Sequence, residues 1–178
     1  MLTVKRVLIV FAVGAIGCLA VCAYVGCIAP AKRAGFDSEL HLQWPGTPDE
    51  SRQIVGDSKH YTAMLTHRSA NGILFLSANV DEDPGFAKLS PKEALDSYTF
   101  AFRKHETSRK EIEVGPKKYP GLEITKKDAT AAGKVRFERE LVYVDGSRIA
   151  SVSVSSTDEN LVNGPEASAF LDSLLTRE

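Results

Sequence analysis

The chain has 178 residues and a formal net charge of −1, which suffices for one domain of ordinary size with an apolar core. Four of its 22 basic residues lie in the first 33 positions, which contain no acidic residue, so the rest of the chain carries 18 basic against 23 acidic side chains. Because nucleic-acid binding depends on neutralising phosphate groups, this acidic balance argues against a nucleic-acid partner.

Residues 7–31 form a run of 25 residues without a charged side chain. As a helix the run would measure roughly 37 Å at 1.5 Å per residue, which exceeds the hydrocarbon thickness of about 30 Å. The apolar region of a cleavable signal spans only about 7–15 residues. The run therefore predicts a retained signal anchor, with residues 1–33 as an N-terminal transmembrane segment and residues 34–178 as an extracytoplasmic domain.

Charges around this run predict its orientation. Three positive charges, including the amino terminus, precede the run and two follow it, which favours a cytoplasmic N-terminus and a domain outside the cell membrane.

Two alternatives to a retained anchor stay open. Cleavage after Ala31 would give a secreted protein, and acylation of Cys18, Cys22 or Cys27 would give a lipid-anchored one, although none of these cysteines has the full lipoprotein signal. In each case the domain is exported from the cytoplasm.

The first part of the domain reads as short strands. Residues 39–44 predict a strand that two prolines end, and residues 49–59 are polar and predict a loop. Residues 60–69 and 73–80 are rich in strand-forming side chains, and the Asn71-Gly72 pair between them predicts a turn.

A helix follows, with three start signals together. Ser90 is a good N-cap, Pro91 suits the first helical position, and Glu93 completes a capping box. We expect this helix to run to about residue 105 with Phe100 outside its apolar stripe. The stripe consists of Ala94, Leu95, Tyr98, Ala101, Phe102 and His105.

The last part of the chain predicts two short strands, a hairpin and a closing helix. Residues 111–114 and 122–126 are the strands, and Asp145-Gly146 is a dipeptide preferred in a two-residue type I′ turn. Folding at that turn pairs residues whose numbers sum to 291. One face of the hairpin is then apolar and collects Phe137, Leu141, Tyr143, Ala150, Val152 and Val154. The opposite face collects Arg136, Glu138, Glu140, Ser151, Ser153 and Ser155.

An isolated hairpin is marginally stable, so the apolar face needs a cover. The helix predicted for residues 164–175 supplies it, because its apolar residues recur at helical spacing. The elements together predict an α+β fold in which a mostly antiparallel sheet of about six strands is packed by two helices.

Several short motifs carry a family resemblance. They are the Leu-x-Leu-x-Trp-Pro-Gly-x-Pro pattern of residues 40–48, the Tyr-Pro-Gly-Leu-Glu of residues 119–123, and residues 144–148 and 170–174. Together they resemble small, exported bacterial proteins with a PsbP-like α/β/α sandwich, over about residues 36–176. That fold class includes the extrinsic PsbP subunit of photosystem II and a Ran-binding import factor. The resemblance implies a binding or assembly factor and supplies no catalytic residue.

Residue patterns typical of catalysis or metal binding are missing from the sequence. None of the four histidines has a helical metal spacing, no Gly-x-Ser-x-Gly elbow occurs, and all three cysteines precede the domain. We therefore expect no catalytic residue, no metal site and no cofactor. Arg139, on the apolar hairpin face, and His105, at a helix end, are the residues that an alternative ligand site would use.

Partner contact is expected on a basic stretch. Residues 103–127 contain eight Lys or Arg against four acidic residues, and Phe100 lies beside them on the exposed side of its helix. The predicted contact residues are Phe100, Arg103, Lys104, Lys117 and Lys118. A solvated face or anionic lipid headgroups are the other interpretations of these charges.

The sequence thus predicts a membrane-anchored extracytoplasmic binding or assembly module without catalytic activity, whose partner is another envelope protein. The alternative is a small-ligand-binding protein or enzyme with a cleft near Arg139 or His105.

Overall fold

Seven antiparallel strands form one sheet in the order β1-β2-β3-β7-β6-β5-β4. The structure, a computed structural model, describes residue 40 and residues 42–175. The strands are β1 (Asp49–Val55), β2 (Ser58–Ser69), β3 (Gly72–Glu82), β4 (Glu106–Val114), β5 (Tyr119–Ala129), β6 (Val135–Asp145) and β7 (Arg148–Ser156). The helices are α1 (Pro91–Thr99), α2 (Glu159–Val162) and α3 (Pro165–Leu175), with two 3-10 helices at Phe86–Lys88 and Phe100–His105. Strands β1 and β4 are the two edges of the sheet.

One face of the sheet, the α3 face, is covered by the closing helix. Because α3 places its apolar residues at helical spacing, one side of it packs on the middle strands. Trp44 from the segment before β1 contacts Phe170 of α3, with ring centroids 4.8 Å apart. The buried residues of this cluster include Leu40, Leu74, Leu76, Val80, Leu141, Val152, Val154, Ala167, Phe170, Leu171 and Leu174.

The other face, the α1 face, is covered over β5, β6 and β7. Its buried cluster consists of Ala94, Leu95, Leu122, Ile124, Val142, Val144 and Ile149, with Phe86, Tyr98 and Phe102 packed against it. The same face of β2 and β3 has no helix over it in the described part of the chain, and Met64 and Phe75 are exposed there. The hairpin face that we predicted to be polar is therefore largely buried, including Glu140, Ser151 and Ser155, and the open part of this sheet face lies on β2 and β3.

The predicted fold class was wrong. The described residues form a mostly β domain with a seven-stranded antiparallel sheet, because the strands are long and the three helices have only nine, four and eleven residues. The strand that sequence reasoning missed is β1, predicted as a loop because Asp49–Val55 is exposed along its whole length and shows no apolar alternation. Residues 42–44, predicted as strand, form no regular element.

The β6–β7 hairpin has the predicted faces but a different register. Asp145 pairs with Arg148 and Phe137 pairs with Ser156, so the turn residues are Gly146 and Ser147 and the pair numbers sum to 293. Gly146 has φ 60° at the first turn position, which is where a type II′ turn takes glycine. A shift of two in the sum leaves each side chain on its face, so the apolar set remains together under α3.

No helix among the described residues has both the length and the apolar character needed to cross a bilayer. The predicted transmembrane segment at residues 7–31 lies outside the described residues.

Candidate functional site

A groove of about 1080 Å³ runs between α1 and the edge strand β4. Its apolar lining includes Pro91, Leu95, Pro120 and Leu122. Its charged lining consists of Lys92, Asp96, Arg103, Glu106, Arg109, Glu111, Glu113 and Lys118. This volume is at or above the upper end of the range of pocket volumes for drug-sized ligands. Together with the mixture of apolar and charged walls, it suits a peptide segment better than a small molecule.

Local sequence signals fix the helix that forms one wall of the groove. The Ser90 amide donates a hydrogen bond to Glu93 Oε2 at 2.9 Å, and the Glu93 amide donates one to Ser90 Oγ at 3.3 Å. This confirms the predicted capping box and satisfies amides at the helix start. The hydrogen bonds from Ser90 hold the pKa of Glu93 below its ordinary value, so the carboxylate stays charged beside the positive end of α1.

Arg109 connects this helix to the edge strand, and Arg103 connects it to the second 3-10 helix. The Asp96 carboxylate on α1 accepts a hydrogen bond from Arg109 Nη1 of β4 at 3.1 Å, and it also accepts one from Arg103. Arg109 donates two further bonds of 3.1 Å to Glu106, and this contact with Glu106 raises the pKa of the guanidinium above its ordinary value. Arg109 also donates to the hydroxyl of Thr99. The end of the groove near residue 106 is thus fixed by paired charges.

The other wall of the groove is a free sheet edge. Strand β4 pairs with β5 alone, and no further strand lies beyond it in the described part of the chain. An edge strand presents a row of unpaired amide and carbonyl groups, to which an extended peptide can add as a new strand. Side chains alternate along β4, so Glu111, opposite Leu122, lies on the α1 face and lines the groove, whereas Lys110, opposite Glu123, lies on the α3 face.

The structure places the five predicted contact residues at two separate locations. Phe100, Arg103 and Lys104 belong to the second 3-10 helix, just before β4, whereas Lys117 and Lys118 lie in the turn just after it. The nine residues of β4 separate these locations by roughly 30 Å at 3.3 Å per residue. The basic stretch is therefore not one continuous patch.

Only two of these five residues line the groove, one at each end: Arg103, which bonds Asp96, and Lys118. Lys118 Nζ lies 3.3 Å from a carboxylate oxygen of Glu113. Phe100 is 73% exposed, as predicted from its place outside the apolar stripe.

The groove was missed by sequence reasoning. Leu95 was correctly assigned to the buried stripe of the helix, where it is 5% exposed, but only residues 111–114 of β4 were predicted as strand. The first five residues of β4, Glu-Thr-Ser-Arg-Lys, have no apolar alternation, so their strand character comes from pairing with β5. The sequence carried one signal of close strand packing at this edge, the glycine of Pro120-Gly121-Leu122. Gly121 lies in β5, where the absence of a side chain allows the close approach of Val114 in β4 and Val142 in β6.

Arg139 and His105 lie on opposite faces of the sheet. The Arg139 guanidinium donates to Glu123 Oε1 at 3.0 and 3.1 Å and to Ser168 Oγ of α3 at 3.2 Å. His105 Nδ1 lies 3.3 Å from Asp128 beside a small pocket of about 210 Å³ on the α1 face. The two residues therefore share no cleft, and Arg139 has the packed stem and paired head that is common for a half-buried arginine.

Beneath that pocket lies a buried charge cluster of Lys126, Glu138 and Glu140. Lys126 Nζ lies 2.9 Å from Glu138 Oε1 and 2.5 Å from Glu140 Oε2, and it stands 3.9 Å from the centre of the Phe102 ring. Burial raises the pKa of Glu140, which Lys126 partly offsets. Burial lowers the pKa of Lys126, but the two carboxylates outweigh it and the net shift is upward. Because the charges are enclosed and paired, the cluster holds the 3-10 helix on the sheet.

No three His, Cys, Asp or Glu side chains are arranged to hold a metal ion among the described residues. Tyr98, whose hydroxyl lies 3.2 Å from Ser151 Oγ, has a pKa raised by burial and stays protonated at neutral pH.

The fold is a seven-stranded antiparallel sheet with a helix on each face and a groove at one edge. No family model matches the sequence, and no curated protein matches it. Among solved structures, it is similar to PA94, a protein of unknown function from Pseudomonas aeruginosa, with a TM-score of 0.46 and 8% identity over 68% of this chain and 91% of that chain. It is also similar to LpqN of Mycobacterium tuberculosis, which is involved in cell envelope biogenesis, with a TM-score of 0.45 and 12% identity over 77% of this chain and 91% of that chain.

One of these two structural neighbours is envelope-related, and neither of them shows the PsbP-like family that the sequence motifs resemble. At these TM-scores and identities the similarity carries no argument about activity or partner.

Proposed function

We propose that the domain is a non-catalytic binding module that holds an extended segment of another envelope protein in the groove between α1 and β4. The observation that carries this proposal is the free edge of β4 running along a groove of about 1080 Å³. The segment would add to the sheet as an eighth strand, with its main chain hydrogen-bonded to β4.

Such a segment can use the groove with every second side chain. In a strand the side chains alternate between faces, so those on the α1 face would contact Leu95 and Leu122 while the others would lie over the α3 face. The salt bridges of Arg103 and Arg109 with Asp96 keep α1 in place, so the groove exists before the segment arrives. A preformed site lowers the entropy lost on binding.

The location of the module is a second part of the proposal. Residues 7–31 would anchor the chain in the membrane and leave the domain on the extracytoplasmic side. This is supported by the absence of any charge in that run and by the excess of positive charge before it.

A photo-crosslinking experiment on the full chain in its membrane tests the binding function. A benzoylphenylalanine in place of Glu111 faces the groove, and the same residue in place of Lys134, an exposed position between β5 and β6 away from the β4 edge, is the control. We expect position 111 to cross-link one short segment of one envelope protein, identified by mass spectrometry, and position 134 to give little of that product. Equal cross-linking from both positions would contradict the proposal, as would a position 111 that reacts with no protein.

A further inference from the structure

Strand β1, at the other edge of the sheet, is exposed along its whole length. All seven of its side chains, on both faces, are exposed. They include Ile54 at 59% and Val55 at 57% exposure. Among the described residues neither α1 nor α3 covers this strand and no strand lies beyond it, so its outer edge can pair with another chain.

This edge lacks several of the features that keep edge strands apart. Its pairing with β2 runs without a register shift from Asp49 opposite Met64 to Val55 opposite Ser58, so no bulge twists it away. Proline occurs only before the strand, at Pro48. No other strand of the described residues pairs with its outer side. A long regular edge of this kind tends to pair with another strand.

The charges on β1 are complementary to those of a second copy of the same strand. Glu50 and Arg52 are two residues apart and therefore lie on the same face. If a second copy lies antiparallel with Ser51 opposite Ser51, two-fold symmetry places Glu50 of each copy opposite Arg52 of the other. Opposite charges in directly paired positions stabilise a sheet, whereas like charges destabilise it.

Neighbouring registers are less favourable. A register centred on Arg52 places the two Arg52 side chains opposite each other, and one centred on Glu50 does the same with two carboxylates. The register centred on Ser51 also brings the exposed Ile54 opposite Pro48 of the second copy, which would cover part of an apolar side chain that water now surrounds.

We infer that β1 is a self-association edge, through which two copies of the chain pair antiparallel about Ser51 into one continuous sheet. The pairing joins a short strand to a short strand, so the interface is small and the dimer is in exchange with the monomer. The edge strand β4 remains free in each copy, so this inference does not depend on the proposed function of the groove.

Disulfide formation tests the register. In the full chain, with Cys18, Cys22 and Cys27 replaced by Ser, a Ser51→Cys variant would place two Cα atoms about 4.5–5.5 Å apart, within the range of a disulfide. A Gln53→Cys variant is the matched control, because its two copies would lie four residues apart along the strands, or roughly 13 Å. We expect mild oxidation in membranes to give a covalent dimer from Ser51→Cys and little from Gln53→Cys.

Charge exchange tests the specificity. In the Ser51→Cys background, Glu50→Arg or Arg52→Glu creates two like-charged pairs and should lower the dimer yield about tenfold. The combined Glu50→Arg and Arg52→Glu variant should restore it. The fluorescence of Trp44, the single tryptophan, reports in each variant whether the domain is folded.

Three results would overturn the inference. They are a folded Ser51→Cys variant that gives no dimer, a Gln53→Cys variant that gives as much dimer as Ser51→Cys, and a combined Glu50→Arg and Arg52→Glu variant whose dimer yield is no higher than that of either single charge change. A disulfide or cross-link from position 51 to a different protein would show that β1 pairs with that protein instead, and would also overturn it.

Discussion

Replacement of Lys126 by Met should destabilise the domain strongly at neutral pH and much less in acid. The Lys126 side chain is 11% exposed and lies between the carboxylates of Glu138 and Glu140, which are 17% and 7% exposed. Met has a similar length and can still pack its side chain on the Phe102 ring, so the change mainly removes the positive charge, with the cation–π contact that this charge makes. Glu140 would then lose its salt-bridge partner while still enclosed, and Glu138 would keep only the longer contact with Arg136 Nη2 at 4.0 Å.

The size of the effect follows from the burial of these groups. Removal of one partner of a buried ion pair lowers the free energy of unfolding by about 3–5 kcal/mol, because the remaining charge is desolvated and unpaired. For a domain of this size that loss corresponds to a fall in melting temperature of roughly 10–20 °C. Lys126→Arg, which retains the charge, is the matched control and should lose much less.

The dependence on pH follows from the direction of the Glu140 shift. Burial raises the pKa of Glu140 above its ordinary value of 4.5, so its contribution to stability is fully present below that pH and is lost as the pH rises through the pKa in the folded domain. Without Lys126 that pKa rises further, because Lys126 is the group that lowers it. The difference in stability between the Lys126→Met variant and the original chain should therefore shrink as the pH falls from 7 towards 4.5.

Urea unfolding of the full chain in detergent, followed by Trp44 fluorescence at several pH values, measures this difference. Trp44 contacts Phe170 in the core of the α3 face and so reports on the sheet. A Lys126→Met variant within 1 kcal/mol of the original chain at pH 7 would refute the reasoning. So would a stability difference that grows as the pH falls.

The same unfolding measurement checks three further predictions. Phe170→Ala should lower the free energy of unfolding by about 3–5 kcal/mol, because it removes the ring that fastens α3 to the sheet; a loss below 1 kcal/mol would mean that the helix is not part of the core. Gly121→Ala should lower it by about 1–3 kcal/mol, since an added Cβ would meet the Val142 carbonyl oxygen at 2.6 Å; an unchanged stability would show that β5 and β6 are further apart. Ser90→Ala should lower it by about 1 kcal/mol through loss of the helix cap, whereas Ser90→Asp, which can still cap, should not.

Elements with a complete local signal could be predicted from the sequence. The start of α1 was predicted because Ser90, Pro91 and Glu93 carry its cap within four residues. The face of the β6–β7 hairpin was predicted because alternation is a local property of the strand. Its register was not, since Gly146 takes the first turn position and Ser147 the second, and both Asp-Gly and Gly-Ser are acceptable turn dipeptides.

Elements that depend on distant partners could not be predicted. Strand β1 is polar and exposed on both faces, so nothing within Asp49–Val55 distinguishes it from a loop, and only its pairing with β2 makes it a strand. The groove likewise needs α1 and β4 together, and these meet through the bonds of Arg109 to Asp96 and Thr99. The predicted contact residues were chosen for charge, which identifies exposed positions but not which of them lie together.

The proposal that β4 receives an extended segment is tested most directly by hydrogen–deuterium exchange on the full chain. The probe is a synthetic peptide that copies the segment cross-linked at position 111. Strand addition predicts slower exchange of the outward backbone amides within residues 109–114 and no change in β1, because new main-chain hydrogen bonds form only at the β4 edge. A peptide that binds while the exchange of β4 stays unchanged would contradict strand addition.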